Sequence, residues 1–172
     1  MKRFLPCVAA LLGLAACQYD EPLGAAASAK APQEVVGRWK LPADPAQADR
    51  KHDAFLVIHR AAGQRLSVDY EFEPGKHWYF LGYPAWDKHP EYVELEFLGD
   101  SEGRPNDDKR YVLVHWQRDG DALTWGTVDK EKLAAGSKGG DSLRKALQEA
   151  VAAGKPITGE KQRFTRVVPK EN

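Results

Sequence analysis

The nine residues RLSVDYEFE, at positions 65–73, alternate apolar and polar side chains along their whole length. Leu66, Val68, Tyr70 and Phe72 fall on one face of an extended chain, and the residues between them are polar. A period of two is typical of a β-strand with one face buried and the other in water. Half-exposed strands of this kind belong to antiparallel sheets, so the stretch predicts an antiparallel strand.

Seven further stretches have strand patterns, and short turns separate most of them. They cover residues 34–40, 54–60, 77–81, 91–98, 110–118, 121–128 and 162–168. Two of the connections, Pro74-Gly75 and Asp119-Gly120, have the composition of tight turns, because Pro presets φ and Gly accepts positive φ. Eight successive strands joined in this way predict a meander that closes into a barrel, since closure removes exposed sheet edges.

One stretch after the seventh strand has the period of a helix. Its apolar residues are spaced by three and four positions, as on the buried stripe of an amphipathic helix: they are Leu143, Ala146, Leu147, Ala150 and Val151. Asp141 is placed to cap the N-terminus, and Gly154 is placed to end the helix. The predicted fold is therefore mainly β: an antiparallel eight-stranded meander barrel with one helix before the last strand.

The N-terminal sequence is typical of an export signal. Lys2 and Arg3 precede an uncharged apolar run that is too short to span a bilayer comfortably. The run ends in Leu14-Ala15-Ala16-Cys17, which resembles the lipobox of bacterial lipoproteins. The resemblance implies cleavage before Cys17, a diacylglycerol on its sulfur and usually an acyl group on its amine. The alternative is an ordinary secretory peptide with an incidental cysteine.

The predicted organisation has three segments: residues 1–16 are the lipoprotein signal peptide, residues 17–33 are the lipidated cysteine with a flexible tether, and residues 34–169 are a single barrel domain. The tether is predicted because its residues include few large apolar side chains. Gln18, in place of Asp after the cysteine, is compatible with sorting to the outer membrane. The lipobox resemblance therefore implies a periplasm-facing lipid anchor in that membrane.

Gly37-Arg38-Trp39 at the start of the first strand resembles the Gly-x-Trp motif of lipocalins and related calycins. In that family the Trp plugs the closed end of the barrel, and an Arg from a late strand packs over it. The resemblance implies that Trp39 is a structural barrel plug covered by Arg166 or, failing that, by Arg163. The chain departs from the family in lacking a Thr-Asp-Tyr-like loop and in placing its helix before the last strand. The alternative is that Trp39 is only a core anchor.

Aromatic residues are unusually dense between positions 78 and 86. Because Trp and Tyr dominate binding hot spots, Trp78, Tyr83 and Trp86 are the candidate ligand- or partner-binding residues. Tyr83 and Trp86 fall in a predicted loop among polar residues, where exposure is expected. The alternative is that these side chains fill the barrel and cover one end.

The sequence contains no recognisable catalytic, metal or cofactor site. The five histidines lack metal-ligand spacing, and the serines lie outside any nucleophile-elbow context. Glu94 and Glu96 lie on the polar face of a predicted strand, where they serve solubility. Cys7 belongs to the predicted signal and Cys17 to the lipid, so the domain has no disulfide and no thiol nucleophile. With 25 basic and 25 acidic residues, the chain also offers no electrostatic case for nucleic acid binding.

Two non-enzymatic functions remain open for the predicted barrel. One is a protein-binding or scaffold module of the cell envelope, and the other is a lipocalin-like carrier of a small apolar ligand. An eight-stranded barrel is wide enough either to be filled by side chains or to hold one small ligand. The packing of the interior therefore bears directly on the choice.

Overall fold

The computed structural model describes residues 18–19, 21–23, 30–47, 50–103, 111–133 and 140–168. Eight antiparallel strands close into a barrel. The strands are Gly37–Leu41 (β1), Ala54–Ala61 (β2), Arg65–Glu73 (β3), Lys76–Pro84 (β4), Tyr92–Asp100 (β5), Tyr111–Asp119 (β6), Ala122–Val128 (β7) and Thr158–Arg166 (β8). Short 3-10 helices occupy Gln33–Val35 and Lys130–Lys132, and the α-helix Gly140–Ala152 (α1) precedes β8.

Each strand pairs with the next one along the chain, and β8 closes the barrel by pairing with both β7 and β1. The closing pairs place Trp39 opposite Arg166 and Leu123 opposite Phe164. All of these pairings are antiparallel. The prediction of a mainly β, eight-stranded antiparallel meander barrel with one helix before the last strand is confirmed.

The inward-facing side chains form a continuous apolar cluster, the barrel core. Trp39, Trp116 and Phe164 are its largest fully buried members, each at most 1% exposed. Leu56 and Ile58, from the nearly continuous apolar run of β2, are also completely buried. The core therefore consists of closely packed aromatic and branched side chains contributed by successive strands.

Strand β4 is longer than the sequence predicts, because it continues through Gly82 instead of ending before it. A Cβ on Gly82 would lie only 3.2 Å from Leu95 and 3.3 Å from Val93. The glycine therefore allows close packing inside the barrel, and it does not end the strand. The prediction that Tyr83 lies in a loop is wrong for the same reason, since Tyr83 belongs to β4.

A second apolar cluster, the flank core, lies outside the barrel wall. The buried side of α1, which includes Leu143 and Leu147, packs there against outward-facing residues of the strands. Leu113 of β6 and Val128 of β7 are among these strand residues, and both are nearly inaccessible. The helix therefore covers one side of the barrel.

Residues 18–19 and 21–23, here the N-terminal segment, also pack on this flank. Gln18–Tyr19 forms a two-residue strand beside the first two residues of β6, which the β6–β7 pairing leaves free. Tyr19 is 3% exposed and Leu23 is 2% exposed, so these described residues are not a free linker. The predicted boundaries of the three segments stay predictions, and Cys17 lies outside the described residues.

Candidate functional site

The end of the barrel at which β1 begins, here the closed end, is covered by residues 31–36. Val35 belongs to the barrel core, and its carbonyl accepts a hydrogen bond of 2.7 Å from the indole Nε1 of Trp39. The guanidinium of Arg166 lies 5.3 Å from the Trp39 ring and donates to the carbonyl of Val36 at 3.2 Å. The structure thus brings together Trp39 and Arg166, the pair that the lipocalin resemblance names, whereas Arg163 is exposed.

The opposite end carries four aromatic rings, here the aromatic mouth: Tyr70, Phe72, Trp78 and Trp125. The Phe72 and Trp78 rings lie 4.5 Å apart, and Tyr70 lies 6.1 Å from Trp78 and 5.8 Å from Trp125. Tyr70, Phe72 and Trp78 are half-buried, while Trp125 is 7% exposed. Aromatic rings at these distances attract one another, so the four side chains support each other's positions.

The barrel is filled beneath the aromatic mouth. Trp125 lies 5.9 Å from Trp116 and 6.4 Å from Phe164, both of which are in the barrel core. Two cavities of about 340 and 380 Å³ lie near the closed end, and Trp116, which lines the larger one, is the only core residue among their lining residues. The mouth is therefore a shallow aromatic surface over packed side chains.

Trp78 and Tyr83, two of the predicted binding residues, lie in different places. They are five positions apart on β4, so they point to opposite sides of the sheet, about 16 Å apart along the strand. The Tyr83 hydroxyl donates to Oε2 of Glu96 at 3.0 Å, and the Arg65 guanidinium lies 5.9 Å from its ring. Burial raises the pKa of Tyr83. Tyr83 is therefore held in the outer wall, away from the mouth.

Trp86, the third predicted binding residue, follows β4 near the closed end. It is half-buried, and its ring lies 4.3 Å from the ring of His89. His89 in turn makes a 2.8 Å contact from Nδ1 to Oε1 of Glu91. The structure therefore does not bring Trp78, Tyr83 and Trp86 into one site.

Sequence reasoning did not identify Tyr70, Phe72 or Trp125 as site residues. Tyr70 lies directly opposite Trp78 in the β3–β4 pair because a register shift between Glu71 and Glu73 offsets the pairing that the Pro74-Gly75 turn begins. The turn signals that β3 and β4 pair, but a tight hairpin without the shift would place Glu71 opposite Trp78, so the turn does not reveal that Tyr70 and Phe72 lie beside Trp78. Trp125 gave no such local signal, since it reaches the mouth only through closure of the barrel.

The outer surface of β4 and β5 carries exposed apolar side chains. Tyr79 is 39% exposed and Leu98 is 41% exposed. Both lie next to the point at which the register of the β4–β5 pair shifts, between Tyr79 and Phe80. The Tyr79 ring stacks on His77 at 5.9 Å, and Nδ1 of His77 contacts Oδ1 of Asp69 at 2.7 Å. This surface lies on the outer face of β4, where Tyr79 is next to Trp78 in the chain.

Glu94 is a buried carboxylate on the flank, not the solubility residue that the strand pattern predicts. It is 2% exposed, and its Oε1 accepts hydrogen bonds from the Tyr19 hydroxyl at 2.8 Å and the Leu23 amide at 2.6 Å. Burial raises the pKa of Glu94, and these hydrogen bonds together with the charge of Arg144 oppose that rise. Arg144 also donates to the Leu23 carbonyl. Glu94 therefore serves to hold the N-terminal segment.

Within the part of the chain that the structure describes, no three His, Cys, Asp or Glu side chains are grouped to hold a metal ion. Among the same residues, no helix has the length and apolar character needed to cross a membrane. No protein-family model, curated protein or solved structure gives a significant match to this chain. Any assignment of function must therefore come from the residues themselves.

Proposed function

We propose that this protein is a lipid-anchored lipoprotein of the bacterial envelope that acts as a non-catalytic binding module for another envelope protein. Support for the anchor comes from the lipobox resemblance of Leu14-Ala15-Ala16-Cys17, and Gln18 favours the outer membrane. The domain then faces the periplasm and is attached to the membrane through its N-terminal lipid.

The observation that supports a protein-binding surface is the half-exposed aromatic mouth over a packed interior. Binding hot spots are typically Trp and Tyr side chains that a partner can bury completely. Trp78 and Tyr70 have this chemistry, and their ring contacts hold them in place before any partner arrives. Little side-chain entropy would then be lost on binding, which favours affinity.

The second candidate, a carrier of a small apolar ligand, has one observation in its favour. The Phe72 and Trp78 rings, 4.5 Å apart, offer an apolar surface on which a flat ligand can stack. Small-molecule sites usually enclose about 70–90% of their ligand, and the fully buried Trp116 and Phe164 occupy the space below the mouth. The packing therefore favours a protein partner over an enclosed ligand.

Site-specific photo-crosslinking in bacteria that naturally produce the protein tests the mouth as a protein interface. A benzoylphenylalanine at position 78 lies in the mouth, and one at position 79 lies on the outer face of the same strand. We expect a discrete protein adduct from position 78 and none from position 79. An adduct from position 79 alone would place the interface elsewhere, and no adduct from either position would contradict the proposal.

Native mass spectrometry of the full chain, released from detergent, tests the carrier alternative and the anchor together. A non-covalent extra mass that Trp78→Ala removes and Trp86→Ala retains would favour the carrier, because Trp86 lies outside the mouth. The covalent mass of the same sample reports the lipid on Cys17. A chain that begins at Cys17 without acyl mass, or one that retains residues 1–16, would contradict the lipoprotein assignment.

A further inference from the structure

A cavity of about 340 Å³ at the closed end has a lining that is rich in cationic and amide side chains. Its residues are Lys30, Gln33, Arg60, Ala61, Gln64 and Arg65. We propose that this cavity binds the phosphate group of an anionic ligand. The inference depends on the cavity alone and not on the proposed function, since the aromatic mouth lies at the other end of the barrel.

The fold builds the cavity between two segments that are distant from the mouth. Residues 30–35 approach β1 along the rim of the barrel, and the other wall is the turn between β2 and β3. The Ala31 amide donates to the Gln64 carbonyl at 3.3 Å, and the Gln33 side chain donates to the Ala31 carbonyl at 2.8 Å. The first of these hydrogen bonds joins the two walls, and the second lies within the wall formed by residues 30–35.

The charges that line the cavity are all positive. Lys30 and Arg60 are exposed, no carboxylate lines the cavity, and neither side chain forms an ion pair with another described residue. Like charges held near one another repel, and a bound anion relieves that repulsion. The cavity therefore favours a ligand that carries more than one negatively charged or hydrogen-bond-accepting oxygen.

Arg65 is positioned before any ligand arrives. Its Nε donates to the Ala62 carbonyl at 2.6 Å, and its guanidinium lies against the ring of Tyr83. The terminal nitrogens of a guanidinium held in this way form a planar fork that matches two phosphate oxygens. The amide groups of Gln33 and Gln64 add further donors to the lining.

The backbone of the turn supplies a second observation. Gln64 has a φ of 62° and is the only non-glycine residue with positive φ in the described part of the chain. Glycine or asparagine is the usual choice in this conformation. Backbone strain of this kind tends to occur where a side chain serves a function, and the side chain of Gln64 lines the cavity.

Phosphate is the ligand chemistry that fits three cations and two amides, because it offers several acceptor oxygens around a compact charge. The group can come from free inorganic phosphate or from a phospholipid headgroup. Two probes separate these sources: inorganic phosphate, and dihexanoyl phosphatidylglycerol below its micelle concentration.

Each probe is titrated against the ¹⁵N-labelled full chain in a non-ionic detergent, and amide shifts near Ala31 and Gln64 are followed. We expect saturable binding that weakens about tenfold or more in the Lys30→Gln/Arg60→Gln double variant, the usual cost of losing charge-assisted hydrogen bonds. The control is Lys155→Gln/Arg163→Gln, which makes the same charge change at exposed positions that do not line the cavity. The control should retain affinity within about twofold.

Binding of phosphate alone assigns a free ligand, and lipid binding that phosphate displaces assigns a headgroup. Absence of saturable binding of both probes at low salt would overturn the proposal, as would equal losses in the two double variants. Thermal unfolding of both double variants checks that the fold is kept. If the first one unfolds, Arg60→Gln alone replaces it, with Arg163→Gln as its control.

Discussion

The barrel core and the flank core bury similar side chains but are assembled in different ways. Leu56 in the barrel and Leu147 on the flank are both completely inaccessible. The barrel core is built mainly from strands that neighbour each other in the chain, with Ala31 and Val35 added from the segment before β1. The flank core combines α1, the N-terminal segment and the outer side of the barrel wall, and it also encloses the carboxylate of Glu94.

This difference indicates which part of the molecule resists opening. Barrel strands share two ladders each, so opening one strand disrupts its neighbours as well. The N-terminal segment is held by a short pairing with β6 and by hydrogen bonds to Glu94, which lies 75 residues from Tyr19. Elements with few contacts open at lower free energy than a core sheet. We therefore expect the flank to open while the barrel stays folded.

Phe164→Ala should have the largest effect, because it removes a completely buried ring from the centre of the barrel core. We expect the free energy of unfolding to fall by about 3–5 kcal/mol, measured by urea denaturation. Phe164→Leu keeps most of the volume and should cost less than about 1.5 kcal/mol. A loss below 1 kcal/mol for the alanine variant would show that the barrel core is loosely packed.

Leu56→Ala and Leu147→Ala form a matched pair, since both leucines are fully buried. Each substitution should lower the free energy of unfolding of its own cluster by about 2–5 kcal/mol. Hydrogen exchange should rise throughout the strands in the Leu56 variant, and only in α1 and the N-terminal segment in the Leu147 variant. Equal deprotection of the strands in both variants would mean that flank and barrel form a single cooperative unit.

Tyr19→Phe tests the attachment of the N-terminal segment with a smaller change. The variant keeps the ring that stacks on Tyr111 at 5.9 Å but removes the hydrogen bond to Glu94. We expect a loss of about 1–2 kcal/mol, together with faster exchange of the Leu23 amide. Tyr83→Phe is the control, because it removes a tyrosine–glutamate bond in the outer wall and should leave that amide protected.

Glu94→Gln should give the smallest effect, a change in pH dependence. Because burial raises the pKa of Glu94 in the folded state, that state holds a proton that the unfolded chain has already released. The stability of the wild type therefore falls as the pH rises from the ordinary glutamate pKa through the raised value. The glutamine variant lacks this loss, so its stability relative to wild type should increase between pH 4.5 and pH 8.

His115 has the opposite pH dependence and must be separated from Glu94. Burial lowers the pKa of His115, so its contribution to stability is lost as the pH falls below the ordinary histidine value. Both proteins contain His115, and its effect cancels in the difference between their denaturation curves. A difference that shrinks with rising pH would show that the hydrogen bonds and Arg144 outweigh burial at Glu94.

Much of the fold could be predicted because its information is local. The alternation of residues 65–73 and the tight turns predicted the antiparallel strands, and the spacing of Leu143 and Leu147 predicted the helix. The same local rules gave errors where tertiary contacts override them. Glycine is typical of strand ends, yet Gly82 lies inside β4, where the crowded interior leaves no room for a side chain.

The sequence by itself determined the strand order, the helix before the last strand and the motif that predicts the lipid anchor. Only the tertiary structure decided that Glu94 is buried, that Tyr19 and Leu23 pack on the flank, and that Tyr70, Phe72 and Trp125 join Trp78 at the mouth. The physical reason is the sequence separation over which each interaction acts. Periodicity and turn chemistry act over a few residues, whereas burial of a carboxylate or an aromatic ring depends on segments that barrel closure brings together.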